Sequence, residues 1–138
     1  MTLQYSTTLR DNQLDQVEST VGAAAKLRLY SGAPPANCAA AASGTLLLSL
    51  TLPSDWMNAA SGGTKTLLGT WAGNGDAGAG TGTNAGYFRV WDSGVTVCSM
   101  QGTVTITGGG GDMTLDNVNI ASGQAVTVAS FTITAGNP

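Results

Sequence analysis

The sequence predicts an all-β protein, a two-sheet antiparallel sandwich with jelly-roll topology as the expected arrangement, preceded by one short N-terminal helix. Eight segments after residue 22 alternate apolar and polar residues with the period of two typical of β-strands. Only one segment has helical spacing, and strands do not alternate with helices as they would in a parallel α/β sheet. We expect one domain, with an arm and helix over 1–22 and the β domain over 23–138.

The helix is predicted between Thr8 and Gly22. Thr8 followed by Asp11 resembles a capping box, and glycine is a common helix stop. Three apolar residues spaced three and four apart form one face, namely Leu14, Val17 and Val21. The opposite face carries Asp11, Asp15 and Glu18. Because carboxylates are costly to bury, we expect this acidic face to remain in solvent unless a partner covers it.

The first strands follow the helix and are separated by irregular segments. Residues 26–31 and 45–52 alternate clearly, and residues 65–71 form a plausible third strand. The segment GAPPANCAAAASG at 32–44 is too rich in proline, glycine and alanine to pair with a strand. Glycines are also frequent between 73 and 86, which we interpret as a mobile loop.

The second half of the chain is predicted to be denser in strands. The candidate strands cover 87–91, 95–101, 103–107, 113–120 and 125–134. Asp92, Ser93 and Gly94 provide a hairpin signal, and Gly102 suggests a bulge or bend within a long strand. In the last strand the apolar phase slips by one residue after Val128, as a bulge or a change of sheet would produce.

The chain contains five basic residues, eight acidic residues and no histidine, so only 9% of it is charged. Soluble domains carry about a quarter charged residues. The basic residues form no stripe that could neutralise phosphates, so direct nucleic-acid binding is not expected. No apolar run approaches the roughly 20 residues of a membrane helix, and the opening MTLQYSTTLRD lacks the features of a secretory signal. We expect a soluble protein made in the cytosol, with a neutral outer surface of Thr, Ser, Ala, Asn and Gly.

The absence of histidine excludes a Ser-His-Asp or Cys-His arrangement and nearly all catalytic zinc sites. Asp112 and Asp116 could in principle form a carboxylate pair, but their context favours solvated turn and edge residues. The glycine-rich strings GGGGDMTLD and GNGDAG lack the spacing of calcium loops. The sequence therefore predicts no enzyme activity, no cofactor and no metal site.

Cysteines and aromatic residues leave alternatives open. Cys38 and Cys98 could form one disulfide only if the fold brings them together, and we expect two free thiols. Tyr87, Arg89 and Trp91 share one strand face, opposite Phe88 and Val90. One of these faces must be core, and the other is either a packed contact, a protein interface or an aromatic patch suited to sugars.

Several strings over nearly the whole chain resemble a family of small tailed-bacteriophage virion proteins. They include LQYSTTLRDNQLDQVESTVG, KLRLYSGAPPANCAAAASGTLL, LPSDWM, GYFRVWDSG, MQGTVT, GGGGDMTLDNVNIASGQ and FTITAGNP. The resemblance is closest to the capsid cement, or decoration, proteins of short-tailed phages, which are jelly-roll modules bound outside the icosahedral shell. It implies a structural role in which the chain holds neighbouring major capsid protein subunits together on the virion exterior. The family offers no catalytic motif to transfer.

We expect the capsid contacts to come from the N-terminal arm and helix and from the loops at 33–43, 53–63 and 73–84. The candidate interface residues are Tyr5, Leu9, Arg10, Trp56, Met57 and Asp76. The predicted partners are the major capsid protein and a second copy of this chain, with a homodimer expected because two-fold contacts are the commonest. The alternatives are a carbohydrate-binding or receptor-binding appendage of the head or tail, and a structural component of the neck or tail.

Overall fold

A computed structural model describes residues 1–137, and residue 138, the last of the predicted β domain, lies outside the described range. The prediction of an all-β fold with one short N-terminal helix is confirmed. Helix α1 covers Thr7–Val21, and a short 3₁₀ turn covers Ala77–Ala79. The described strands are β1 (Lys26–Ser31), β2 (Leu46–Thr51), β3 (Thr64–Thr66), β4 (Ala72–Asn74), β5 (Thr83–Trp91), β6 (Cys98–Ile106), β7 (Met113–Leu115), β8 (Asn119–Ile120) and β9 (Ala125–Thr134).

Helix α1 begins with a different cap from the one predicted. The N-cap residue is Ser6, whose hydroxyl oxygen accepts a hydrogen bond from the Leu9 N–H at 3.2 Å, so Thr8 lies inside the helix. Gly22 ends the helix as predicted, with a φ of +90°. Leu14 and Val21 on the predicted apolar face are buried.

The nine strands form one curled mixed sheet rather than an antiparallel sandwich, and the jelly-roll topology is not confirmed. The strand order is β2-β1-β5-β6-β7-β9-β3, while β4 pairs with β9 and β8 pairs with β5. The expectation of a fully antiparallel arrangement fails at β6 and β7, which run parallel. Only residues 107–112 separate them, so the chain must reverse twice within six residues. Gly108 and Gly110 permit this because both have a positive φ, of +86° and +79°.

The sheet curls until its two ends meet. Leu48 of β2 and Gly75, just after β4, form an antiparallel bridge. The Asp76 N–H also donates to the Leu47 carbonyl oxygen at 2.8 Å. Since β4 is also paired with β9, the apolar side chains of the strands face a common enclosed interior.

The predicted phase slip in the last strand is a β-bulge. Thr114 lies opposite Ser130, but the next residue, Leu115, lies opposite Val128, which leaves Ala129 without a counterpart. Val126, Val128 and Phe131 are consequently all buried. The bulge lets β9 keep an apolar inner face along its whole length while it pairs with β4 near its start and with β3 near its end.

Gly102 does not mark the predicted bulge, because β6 is continuous from Cys98 to Ile106. The glycine is needed for close packing instead. A Cβ atom at this position would lie 2.8 Å from the Phe88 ring and 2.8 Å from a carboxylate oxygen of Asp112. The register shift between β5 and β6 falls at Val90 and Trp91.

The segment 32–44, here called the strap, folds back over the outer face of β5 and covers Arg89. The Arg89 side chain is 0% exposed. Its Nη1 donates to the Ala40 carbonyl oxygen at 2.9 Å and its Nη2 to the Asn37 carbonyl oxygen at 3.1 Å. Its Nε donates to Gln101 Oε1 at 3.1 Å. No carboxylate among the described residues forms an ion pair with Arg89. The strap therefore supplies the acceptors that a buried guanidinium requires.

Neighbouring side chains complete the strap contact. Gln101 Nε2 donates to the Pro35 carbonyl oxygen at 2.6 Å, and the Tyr87 hydroxyl donates to the Ser43 carbonyl oxygen at 2.6 Å.

The guanidinium carbon of Arg89 lies 5.6 Å from the centre of the Trp91 ring, within the range of a cation–π interaction. The face of Tyr87, Arg89 and Trp91 is thus largely a packed intramolecular contact, whereas Phe88 and Val90 belong to the core.

We predict that Arg89→Lys lowers the free energy of unfolding by about 2–4 kcal/mol, because a lysine cannot satisfy three acceptors in a fixed planar arrangement. The matched control is Arg28→Lys. Arg28 lies opposite Arg89 in the neighbouring strand β1, is only half-buried and donates to a serine hydroxyl. Its replacement should change stability by less than about 0.5 kcal/mol. Urea denaturation measures both values, and equal losses would contradict the role given to the strap.

Candidate interaction surface

The N-terminal arm is held against the C-terminal end of the chain. The Tyr5 N–H donates to Asn137 Oδ1 at 2.8 Å. The Arg10 guanidinium donates to the carbonyl oxygens of Ala135 and Gly62, each at 3.4 Å. Leu9, between them in the chain, keeps 44% of its surface exposed. Three of the predicted interface residues, Tyr5, Leu9 and Arg10, therefore belong to one region at the start of α1.

The acidic face of α1 is only partly in solvent, contrary to the prediction that it stays there, because the protein's own loop covers part of it: the side chains of Asp15 and Glu18 are 44% and 19% exposed. Glu18 Oε1 accepts hydrogen bonds from the N–H groups of Trp56 and Met57 at 2.6 and 3.2 Å. Asp15 and Asp11 accept from the N–H groups of Ala60 and Gly63, at 2.9 and 2.7 Å. The carboxylates thus hold the loop after β2 against the helix by accepting from four of its backbone N–H groups.

Lys65 in β3 neutralises part of this acidic face. Its ammonium group lies 2.7 Å from Asp15 Oδ1 and 3.6 Å from Glu18 Oε2. The lysine side chain is only 3% exposed, so the ion pair fixes α1 against β3 in a partly desolvated environment. Sequence reasoning placed Lys65 on a strand but missed this role, since nothing local in the sequence links it to the helix.

Two candidate interface residues are corrected by their burial. Trp56 and Met57 are 0% and 1% exposed and belong to the hydrophobic core. Trp56 packs against Trp71 with ring centres 5.9 Å apart, and its indole N–H donates to the Gly22 carbonyl oxygen at 3.4 Å. Neither side chain is available to a partner, because the loop after β2 packs against α1 and directs both side chains into the core. Two neighbouring apolar residues in an irregular segment can either contact a partner or pack in the core, and the sequence alone did not show which applies to Trp56 and Met57.

Asp76 remains on the surface at the other end of the sheet. It is the N-cap of the 3₁₀ turn, where its carboxylate accepts a hydrogen bond from the Gly78 N–H at 3.1 Å. The adjacent Gly75 N–H donates to the Gln124 carbonyl oxygen, immediately before β9. Tyr5 and Arg10 bind the segment after β9. Because β9 has ten residues, Asp76 and the N-terminal region lie roughly 30 Å apart.

The folded surface carries even less positive charge than the composition indicates. Of the five basic residues, Lys65 and Arg89 are buried. The outward positions of β9 are uncharged and are occupied by alanine, serine and threonine. Large exposed apolar side chains are scattered among described residues rather than joined in one strand: Met1, Leu3, Leu9, Val97 and Ile106. The accessible surface therefore carries few charged groups, and most of these are acidic.

Hydrogen bonds favour the ionised form of two carboxylates in the β domain, those of Asp92 and Asp112. Hydrogen bonds from the Thr103 N–H and hydroxyl group lower the pKa of Asp112. Hydrogen bonds from the Thr96 hydroxyl and from the N–H groups of Val97 and Thr96 lower the pKa of Asp92. A general acid needs the opposite shift, so these two aspartates act as acceptors for loop donors.

The remaining features concern metals, membranes and sugars. Among residues 1–137, no three histidine, cysteine or acidic side chains lie close enough together to hold a metal ion. No helix in that range combines the length and apolar character needed to span a bilayer.

Of the three tryptophans, Trp56 and Trp71 are buried and Trp91 is half-buried beside Arg89. An aromatic platform for sugars would therefore have to rest on Trp91.

Comparison with known proteins yields no match: no family model, no curated protein and no solved structure corresponds to this chain.

We predict that Glu18→Ala lowers the free energy of unfolding by about 2–4 kcal/mol, because it leaves the N–H groups of Trp56 and Met57 without an acceptor and removes one of the two carboxylates that face Lys65. Lys65→Met removes the buried cation, but Asp15 remains half-exposed to water and Glu18 keeps its two backbone donors, so it should cost less than Glu18→Ala, about 1–2 kcal/mol. Gln16→Ala, at an exposed position of the same helix, is the control. If urea denaturation gives Lys65→Met the larger effect, the ion pair rather than the backbone hydrogen bonds fixes the helix.

Stability should also fall in acid. The pKa values of Asp92 and Asp112 are lowered in the folded state, as is that of Asp15 through its hydrogen bond with Lys65. Such groups stabilise the fold above their unfolded pKa of about 3.9, and this contribution is lost as the pH falls through the folded values. We predict urea midpoints that are level from about pH 7 to pH 5 and fall below about pH 4. Asp92→Asn should show a smaller fall, and an identical fall would exclude Asp92 as a contributor.

Proposed function

We propose that this protein is a non-enzymatic structural component of a tailed-phage virion, which binds the outer surface of the capsid and cements neighbouring major capsid protein subunits. The proposal starts from the sequence resemblance described above. The structural observation that carries it furthest is that the folded surface has few charged groups and that the outer face of β9 has none. Two of the five basic side chains are buried, and three acidic side chains of α1 face the protein's own loop.

A surface with few charged groups favours binding over a broad area. Charged groups lose much hydration when a partner covers them, whereas hydroxyl, methyl and amide groups are cheaper to desolvate. The outward side chains of β9 are of this second kind. This face of β9 can therefore lie against a shell without leaving unpaired charges in the contact.

The candidate contact residues that remain exposed or half-exposed are well separated. Tyr5, Leu9 and Arg10 lie beyond one end of β9, and Asp76 lies near its other end. A rigid sheet between two contact regions roughly 30 Å apart suits a protein that bridges two subunits. Repetition over the shell would then reinforce each weak contact through multivalency.

The first test is the number of copies in purified particles of the phage that encodes the chain. Gel densitometry against the major capsid protein should give hundreds of copies per particle. A value of roughly a dozen would instead indicate a ring at the neck or tail, where a single symmetry axis limits the copy number. Absence from the particles would refute any structural role in the mature virion.

The second test locates the contact. Leu9→Asp places a charge on the exposed apolar side chain at the start of α1 and should weaken co-sedimentation with shells of the major capsid protein by at least about tenfold. Asn12→Asp adds the same charge one turn further along the helix, at an exposed position outside the candidate set. It should change binding by less than about twofold. Equal binding by both variants would remove the start of α1 from the contact.

A further inference from the structure

The two cysteines are brought together by the strap. Cys38 lies in the strap, and Cys98 is the first residue of β6, opposite Trp91. Both thiols are half-buried and line one shallow cleft of about 510 Å³, together with Trp91 and Val97. Sixty positions separate them in the sequence, so their proximity results from the folding of the strap over β5.

The position of Cys38 is fixed on both sides. The carbonyl oxygens of Asn37 and Ala40 each accept a hydrogen bond from Arg89, so the backbone around Cys38 is anchored to β5. The Cys98 thiol donates to the Met100 carbonyl oxygen at 3.5 Å and interacts with the Cys38 thiol. Burial and this neighbouring thiol together raise the pKa of Cys98 to about 12.

We infer that Cys38 and Cys98 form a site for an intramolecular disulfide in the folded chain, which fastens the strap to β6. The site is independent of the capsid proposal, because it depends only on contacts within one molecule. The disulfide would join the strap, which covers Arg89, to β6, which contains Gln101, the third acceptor of the Arg89 guanidinium. Both thiols border an open cleft, so a small oxidant can reach them.

A low-molecular-weight disulfide such as oxidised glutathione can act as the oxidant that forms the Cys38–Cys98 disulfide. The Cys38 thiolate attacks one sulfur atom of the oxidant, forms a mixed disulfide and releases one glutathione thiolate. The Cys98 thiolate then attacks the Cys38 sulfur, closes the protein disulfide and releases the second glutathione. The two protein thiols lose two protons and two electrons, which are recovered in two glutathione thiols. Because the raised pKa makes the Cys98 thiolate scarce at neutral pH, the second step is faster in mild alkali.

The test compares the disulfide equilibrium in the folded and unfolded chain. The protein is equilibrated at about pH 8.5 with mixtures of reduced and oxidised glutathione, either in buffer or in urea, and quenched with acid. Mass spectrometry counts the chains that have lost about 2 Da. By linkage, a disulfide that stabilises the fold has a larger formation constant in the folded state. We expect the folded constant to exceed the unfolded one by more than about tenfold, and a smaller ratio would overturn the inference.

Two single variants and a second measurement complete the test. Cys38→Ser and Cys98→Ser should each retain one thiol, yield only a glutathione adduct and never lose about 2 Da. Hydrogen exchange of the oxidised wild type should be slower at the Ala40 amide, which bonds to Asn37 within the strap. Unchanged exchange there would show that the disulfide does not fasten the strap.

Discussion

The buried guanidinium of Arg89 is the constraint on which much of this structure depends. A cation removed from water needs acceptors for its N–H groups, and the sheet alone supplies only Gln101. The carbonyl oxygens of Asn37 and Ala40 supply the others, which requires the strap to lie across the outer face of β5. Because the strap lies there, β5 is buried on both faces, and Cys38 comes to rest beside Cys98.

A second set of polar contacts holds the helix. The acidic side chains of α1 accept hydrogen bonds from four backbone N–H groups of the loop after β2, and the nearly buried Lys65 compensates part of their charge. Charged groups in this protein therefore serve largely to position irregular segments against regular ones. This internal use of charge leaves few charged groups outside, and the uncharged outer face of β9 is the physical basis for the proposed binding to a shell of identical subunits.

The alternation of apolar residues predicted most of the strands, because a half-buried strand must alternate to keep one face in the core. It also predicted a bulge or a change of sheet after Val128, because the apolar phase shifts there by one residue, and the structure has a bulge at Ala129. The parallel pairing of β6 and β7 could not be predicted in this way, because alternation is the same for parallel and antiparallel neighbours. Likewise, a glycine within a strand can mark a bulge or a close approach, and only the positions of Phe88 and Asp112 decide that Gly102 is the second kind.

The candidate interface also shows the difference between what the sequence and the tertiary structure determine. Sequence alone determined the all-β class, the single N-terminal helix, the low charge and the lack of histidine chemistry, because these follow from local periodicity and composition. Only the tertiary structure decided that Trp56 and Met57 lie in the core, that the acidic helix face binds a loop and that the two thiols are neighbours. Burial and pairing depend on residues far away in the chain. A local pattern specifies which groups need partners, whereas the fold specifies which partners they find.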